Sequence, residues 1–481
     1  MNAPRTSEPL YARVANAVEE LIRSGAMRPG ERVPSVRRAS RQHGVSVSTV
    51  VEAYIALENR GLIEGRPKSG FFVRSQVADA RKAGRGPKLK SVGQIVAVGN
   101  LLSRLFDAAR MPDVVPFGAA YPGTEVLPVS KLSKITAAVV RRDSAQSVGY
   151  DMPPGSEALR RQVAKRSLEW GTTLTPDEII TTCGGTEALA LALRAVTKPG
   201  DVVAVESPTY FGILQLLEDL GLRALEIPMH PQTGMDLDAL ETGIKRGRVT
   251  ACLAVPNFSN PLGSLMPDDH KRRLWEILRT KDVPLIEDDI NGDLSHDSLR
   301  PRVVQAHNTD GLVLLCGSYS KTLAPGYRVG WIAPGRFYER VKALKLTSTL
   351  ATASLPQLAV AEFLANGGYD HHLRALRRLF AAQVQRTRDA IGAFFPKSTR
   401  VTNPAGGFVL WVELPGAVSA FKLHERALLE HISIAPGPMF SAAQQFSNFV
   451  RINCGHPWTN RREQALEQLG TLTRKLAQRS R

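Results

Sequence analysis

Cysteine is scarce: four residues in 481, at positions 183, 252, 316 and 454, far apart and with no CxxC pair. That excludes a disulfide framework and the usual zinc spacings, so no metal site is expected. It fits a reduced, cytoplasmic interior. No apolar run reaches the ~18 residues needed to cross a bilayer, and the first residues, MNAPRTSEPLYARV, lack the apolar stretch of a secretory signal. No membrane association is expected. Acidic residues are also few, 45 against 62 Lys and Arg, for a net charge of +17. A basic chain leaves nucleic acid or another acidic partner open. The excess is uneven. Residues 1–75 hold 12 basic and 7 acidic side chains, and residues 76–112 hold 7 and 2. Charge density is therefore highest in the first quarter.

The length calls for more than one domain, and the pattern changes along the chain. Leu10, Val14, Val18, Leu21 and Ile22 predict an amphipathic helix over Leu10–Ser24, closed by Gly25 and Pro29-Gly30. Ser35 caps a second helix, Val36–His43, that stops at Gly44. Ser46 caps a third, Val47–Arg60, that stops at Gly61, with Val50, Tyr54 and Leu57 on its buried side. Leu62–Arg66 and Gly70–Val73 then read as a hairpin with Lys68 at its tip. Three helices and a hairpin make a winged helix-turn-helix. Ser46, Ser48 and Thr49 stand at the start of the helix expected to enter the major groove. Arg37 and Lys68 are placed to meet phosphates.

Residues 76–112 read as a basic, flexible linker followed by a short helix, Asn100–Arg110. From 113 to 481 short apolar strands alternate with helices: Val202–Glu206, Thr250–Val255, Pro284–Asp288 and Leu312–Cys316. This predicts an α/β domain with a mostly parallel sheet.

One segment of this domain carries the chemistry. Ser318-Tyr319-Ser320-Lys321 follows a strand and leads to Arg328. A lysine so placed can join an aldehyde cofactor covalently. Ser318, Ser320 and Arg328 suit a phosphate, which arginine grips as a planar fork. The turn Thr182-Cys183-Gly184-Gly185-Thr186 opens a helix whose amides also suit a phosphate. Asp288 ends a strand, where a carboxylate can pair with a protonated ring nitrogen. Tyr210 can stack on a ring, and Asn260 can donate to a ring hydroxylate.

Two resemblances follow from these residues. Pro34-Ser35-x-Arg37, Gly44-Val45-Ser46-x-Ser48-Thr49-Val50, Leu57-Glu58-x-x-Gly61-Leu62-Ile63 and Ser69-Gly70-Phe71-Phe72-Val73 resemble the GntR family of bacterial regulators. Val47 stands where many members place an arginine. Residues 113–481 resemble the fold-type I, class I/II aminotransferases, and the fusion resembles the MocR group. The resemblance implies pyridoxal 5'-phosphate as cofactor. Lys321 looks like its covalent anchor, Asp288 the partner of the pyridine nitrogen, Asn260 the donor to O3', and Tyr210 the stacking ring. Gly185, Thr186, Ser318 and Arg328 look like the phosphate cup. Tyr150 resembles the tyrosine that reaches the partner's phosphate across a homodimer interface. Arg451 resembles the arginine that grips a substrate α-carboxylate. Asn291 stands where similar enzymes usually carry a tyrosine that donates to O3'; another hydroxyl, such as that of Tyr319, is the kind of group that could substitute.

The adopted reading is a DNA-binding regulator that dimerises and binds an operator of paired half-sites. Its cofactor domain senses an amine, an amino acid or the cofactor itself. The alternatives are a working aminotransferase with an accessory DNA-binding domain, and a DNA-binding protein whose large domain is only a dimerisation scaffold.

Overall fold

Each apolar run of the second domain becomes a strand of one central sheet. The computed structural model describes residues 9–24, 26–27, 30–66, 69–74, 113–247, 249–297, 299–366 and 368–479, and the backbone of 78–79 and 94–95.

The N-terminal unit consists of α1 (Leu10–Arg23), α2 (Val36–His43), α3 (Val47–Asn59) and the antiparallel hairpin β1 (Ile63–Arg66) and β2 (Gly70–Val73). Its caps are those read from the sequence. Ser35 Oγ accepts the Arg38 amide, Ser46 Oγ accepts that of Thr49, and Gly44 closes α2 at φ 64°. That backbone is left-handed, which glycine adopts at least cost. Val50, Tyr54 and Leu57 are fully buried, and the Tyr54 hydroxyl donates to Pro34 O at 2.7 Å. The face expected of α1 needs correction. Val14, Ala15 and Val18 form its core, whereas Leu10 is 53% and Leu21 42% exposed. Both leucines sit in the end turns of the helix.

The tip residue Lys68, Gly25, Pro29 and the helix expected over 100–110 lie outside the described residues. Within 76–112, the backbone at Ala78–Asp79 pairs with Arg400–Val401, and that at Gln94–Ile95 pairs with Arg223–Ala224. These two pieces of the segment read as a flexible linker are therefore edge strands, their backbone groups satisfied by the sheets they join.

The central sheet contains β3 (Ile180–Cys183), β4 (Val202–Ser207), β5 (Arg223–His230), β6 (Val249–Ala254), β7 (Leu285–Asp288), β8 (Val313–Ser318) and β9 (Val329–Ala333). Their spatial order is β5-β4-β6-β7-β8-β9-β3. Neighbours from β5 to β8 run parallel, while β9 is antiparallel to both β8 and β3. Helices cover both faces, so Val203, Val205, Leu253, Ile286 and Leu314 are fully buried, as continuous apolar strands require. A smaller sheet, which includes Val409–Glu413 and Phe449–Asn453, builds the C-terminal part. No helix among the described residues is long and apolar enough to cross a membrane.

Candidate functional site

Register brings the site together. Asp288 ends β7 opposite Cys316 of β8, Ser318 of β8 faces Gly330 of β9, and Val329 of β9 faces Cys183 at the end of β3. Segments near 184, 288 and 320 thus meet at the carboxyl edge of the sheet, where open α/β sheets hold ligands. A cavity of about 190 Å³ lies there, walled by Gly185, Thr186, Tyr210, Asn260, Asp288, Asn291, Ser320, Lys321 and Arg328.

The cavity has a cationic and an anionic end. Helix α4 (Gly184–Val196) starts at its wall, so free amides and the positive end of the helix face inward. Arg328 closes this end from φ 54°, and its Nη1 donates to Ser320 Oγ at 3.3 Å. Gly184, at φ 75°, makes that approach possible: a Cβ there would overlap the Arg328 guanidinium. Ser318 stands one layer back. Its Oγ lies 2.8 Å from Ser320 Oγ and accepts the Ser320 amide at 3.1 Å, so it orients Ser320 rather than lining the cavity. At the opposite end Asp288 Oδ1 accepts the Ile290 amide at 3.1 Å. Burial pushes the Asp288 carboxyl up to about 6, against the pull of that amide and of Lys321. It is still an anion at neutral pH.

Lys321 Nζ donates to Ala120 O at 2.6 Å. Burial, with the repulsion of Arg451 and Arg328, lowers its pKa to about 8; Asp288 opposes the shift. The neutral amine is the nucleophile toward an aldehyde. Its share rises from on the order of 1% at pH 6 to about half at pH 8. Covalent uptake of an aldehyde cofactor is accordingly expected to accelerate steeply over that interval. Stopped-flow absorbance at fixed cofactor concentration checks this; a flat profile between pH 6 and 8 contradicts it.

Tyr210 lies on the wall, and Gly212 makes room for its ring, which a Cβ at that position would strike. Asn260 Oδ1 accepts from Arg451 Nη1 at 3.0 Å. Arg451 itself is fully buried behind Asn260. It also donates to Gly118 O and lies over the rings of Phe211 and Phe440. Tyr150 is 81% exposed and does not line the cavity. Asn291 does line it, yet its Nδ2 donates to Phe258 O at 3.0 Å. Tyr319 is buried off the wall, with no hydrogen-bond partner for its hydroxyl among the described residues. It does not replace the missing phenol.

Sequence reasoning missed two parts of the site. Ala120, Phe258, Ile290 and Phe408 add apolar wall; only the run of small residues Gly118-Ala119-Ala120 hinted at a close approach. Behind the wall, Arg300 joins Asp289 to Asp293, with Nε 2.6 Å from Asp293 Oδ1. Tyr369 gives its one phenol proton to Asp293 Oδ2 at 2.8 Å, and Thr322 Oγ1 lies 2.9 Å from the same phenol oxygen. This buried chain braces the residue after Asp288 against the residue after Lys321.

In the N-terminal unit, Arg37 is exposed. Ser46 Oγ lies 2.8 Å from both Ser48 Oγ and Thr49 Oγ1 at the start of α3. Their hydroxyls cap the helix and remain at the surface, where a base edge or phosphate can reach them.

The cavity's donor set fits pyridoxal 5'-phosphate: a helix N-terminus and an arginine for the phosphate, a carboxylate at the far end, and a lysine of lowered pKa between them. Comparison with known proteins agrees. Bacterial regulatory proteins of the gntR family match residues 10–73, and aminotransferase class I and II matches residues 120–469. The uncharacterized HTH-type transcriptional regulator YdcR of Escherichia coli is 40% identical over 462 residues, 96% of this chain and 98% of its own. A protein named as the MocR regulator of rhizopine catabolism in Rhizobium meliloti is 26% identical over 375 residues, 78% of this chain and 75% of its own. Among solved structures, the α-aminoadipate aminotransferase LysN of Thermus thermophilus, complexed with N-(5'-phosphopyridoxyl)-L-leucine, superposes with a TM-score of 0.72 at 28% identity, covering 78% of this chain and 95% of its own. The chain belongs to the MocR-type GntR regulators, in which a winged helix-turn-helix is joined to an aminotransferase class I and II domain that takes pyridoxal 5'-phosphate.

Proposed function

We propose that the aminotransferase-like domain, residues 113–481, serves as the sensor of this regulator. The DNA head occupies residues 1–75, and the basic segment 76–112 connects the two. The observation that carries the reading is the pairing of a cavity whose residues fit the cofactor with Asn291 in place of the usual phenol. The cavity retains what holds a cofactor and lacks a group that tunes its turnover.

The bound cofactor supplies an electrophilic carbon that amines attack. Around it, Lys321 is the covalent anchor and Asp288 keeps the ring nitrogen protonated. Tyr210 stacks on the ring and Asn260 donates to O3'. Gly185, Thr186, Ser320 and Arg328 hold the phosphate, with Ser318 positioning Ser320. Tyr150, exposed in one protomer, completes the phosphate site of its partner in a homodimer. An effector amine would take the place that Lys321 holds on the cofactor, returning Lys321 to a free amine, and its carboxylate would take over Arg451 from Asn260 and Gly118. The resulting change in closure alters the spacing of the two heads on paired half-sites. Absorbance titration of the cofactor-loaded protein against a panel of amino acids and amines tests this. A spectral change with one compound, without turnover and with altered DNA affinity, supports the sensor. Turnover with no effect on DNA supports the enzyme reading instead.

DNA affinity is expected to fall steeply with salt, because phosphate contacts release counterions. Arg37→Ala is expected to cost about 1–3 kcal/mol if Arg37 reaches a base, or to flatten the salt slope by about one if it meets phosphate alone. Fluorescence anisotropy at several salt concentrations separates the two, and unchanged binding removes Arg37 from the interface.

A further inference from the structure

The helix α5 (Gly368–Phe394) is 27 residues long, and its surface is one-sided in charge. His371, Arg374, Arg378 and Arg386 are exposed. At 100° per residue they fall within about a third of the helix circumference, opposite the buried Tyr369, Leu373, Leu376 and Phe380. None of the three arginines is in an ion pair among the described residues. The helix has two acidic residues, and neither neutralises the stripe. Asp370 pairs with Arg166 at 2.8 Å. Asp389 lies on the same azimuth as His371, one turn beyond Arg386, and should therefore face solvent. It is buried instead.

What covers Asp389 is the DNA-binding head. A methyl added to Gly30, in the turn between α1 and α2, would sit 3.1 Å from Asp389 Oδ2. Burial and the hydrogen bond from Gln385 act most on the Asp389 carboxyl, and Arg66 and Glu64 of the wing strand also bear on its charge. The arginine stripe thus runs along α5 toward the place where Gly30 and the wing strand of the head approach that helix.

We infer that the stripe Arg374, Arg378 and Arg386 is a second DNA contact, which binds the phosphate backbone of duplex flanking the sequence read by α3. Arg374 to Arg386 spans about 18 Å of helix, or about five base pairs at 3.4 Å each. Such contacts read no sequence; they add affinity and salt dependence. The inference rests on the DNA-binding reading of the head and adds a partner surface on the cofactor domain.

The test uses the full-length, cofactor-loaded protein and a labelled duplex of mixed sequence, about 40 base pairs long, so that no operator need be known. In the triple variant Arg374→Gln, Arg378→Gln, Arg386→Gln the plot of log affinity against log salt is expected to flatten by about 2–3. The exposed, remote triple Arg272→Gln, Lys281→Gln, Lys198→Gln removes the same net charge and is expected to leave the slope within about one of wild type. An unretained cofactor spectrum would mark a misfolded variant, in which case Arg378→Gln alone is used, with an expected flattening of about one. A wild-type slope in the stripe variants, or an equal loss in the remote triple, overturns the inference and leaves the DNA-binding reading standing. Failure of the wild-type protein to bind any duplex overturns both.

Discussion

Lys321→Ala is expected to abolish covalent retention of pyridoxal 5'-phosphate: no cofactor remains on the denatured chain after borohydride reduction, whereas wild type is labelled stoichiometrically. The expectation rests on exclusion as well as position. Lys321 is half-buried; among the described residues two lysines, Lys271 and Lys345, are fully buried, and both are committed elsewhere. Lys271 Nζ donates to Asn257 Oδ1 and Arg302 O, each at 2.7 Å, and Lys345 Nζ donates to Glu187 at 2.6 Å and Thr352 at 3.0 Å. Neither lines the cavity, whereas Lys321 does. The phosphate end and Asp288 are untouched by the substitution, so reversible binding of the cofactor survives and is lost on dialysis. If an amine effector acts by displacing Lys321, the variant also loses its DNA response to that amine while still binding DNA. Mass spectrometry after reduction reads the first effect, and anisotropy reads the second. Label found on the reduced Lys321→Ala chain would sink the assignment.

The parts of this fold that sequence reasoning reached are those set by local chemistry. Ser35, Gly44 and Ser46 cap or stop helices through bonds three or four residues long, so α2 begins and ends where those residues say. The parallel strands are legible because burial on both faces leaves near-continuous apolar runs. Leu10 and Leu21 show the limit. Periodicity assigns them to the apolar face of α1, but tertiary packing decides which positions on that face are covered, and both stay exposed. The edge pairing of 78–79 and 94–95 was invisible for a related reason. A two-residue strand has no period, and its partners lie more than a hundred residues away.

The site divides in the same way. Residues in motifs with a chemical reason, such as Lys321, Asp288 and the turn at Gly184-Gly185, were found and share one cavity. The brace of Arg300, Asp293 and Tyr369 was not, because buried ion pairs between distant segments leave no spacing to read. Ser318 and Ser320 look alike in sequence, yet β8 ends at Ser318, and the turn beyond it gives Ser320 to the wall and leaves Ser318 as its support.

Asn291 is expected to leave the protein with turnover of amino donors far below the ~1–1000 s⁻¹ typical of enzymes. It lies on the cavity wall, and its amide donates to Phe258 O at 3.0 Å. A carboxamide is also a weaker donor than a phenol to an anionic oxygen. A strong donor there stabilises negative charge on the oxygen, which makes a proton at Lys321 Nζ easier to lose. Without it the proton is held to higher pH, and its transfer during each catalytic cycle is poorly matched to neutral conditions. Asn291→Tyr restores the donor. A hydrogen bond to a charged group is worth about 1.5–3 kcal/mol, so the pKa read at Lys321 Nζ in the cofactor-loaded protein is expected to fall by about 1–2 units. Turnover is expected to rise with it. The pKa comes from a spectroscopic pH titration of both proteins, and turnover from steady-state assays with several amino donors. A pKa that stays or rises in Asn291→Tyr defeats the electronic argument. Wild-type turnover in the ordinary enzyme range defeats the sensor, since a signal that the protein itself consumes does not last as long as its ligand.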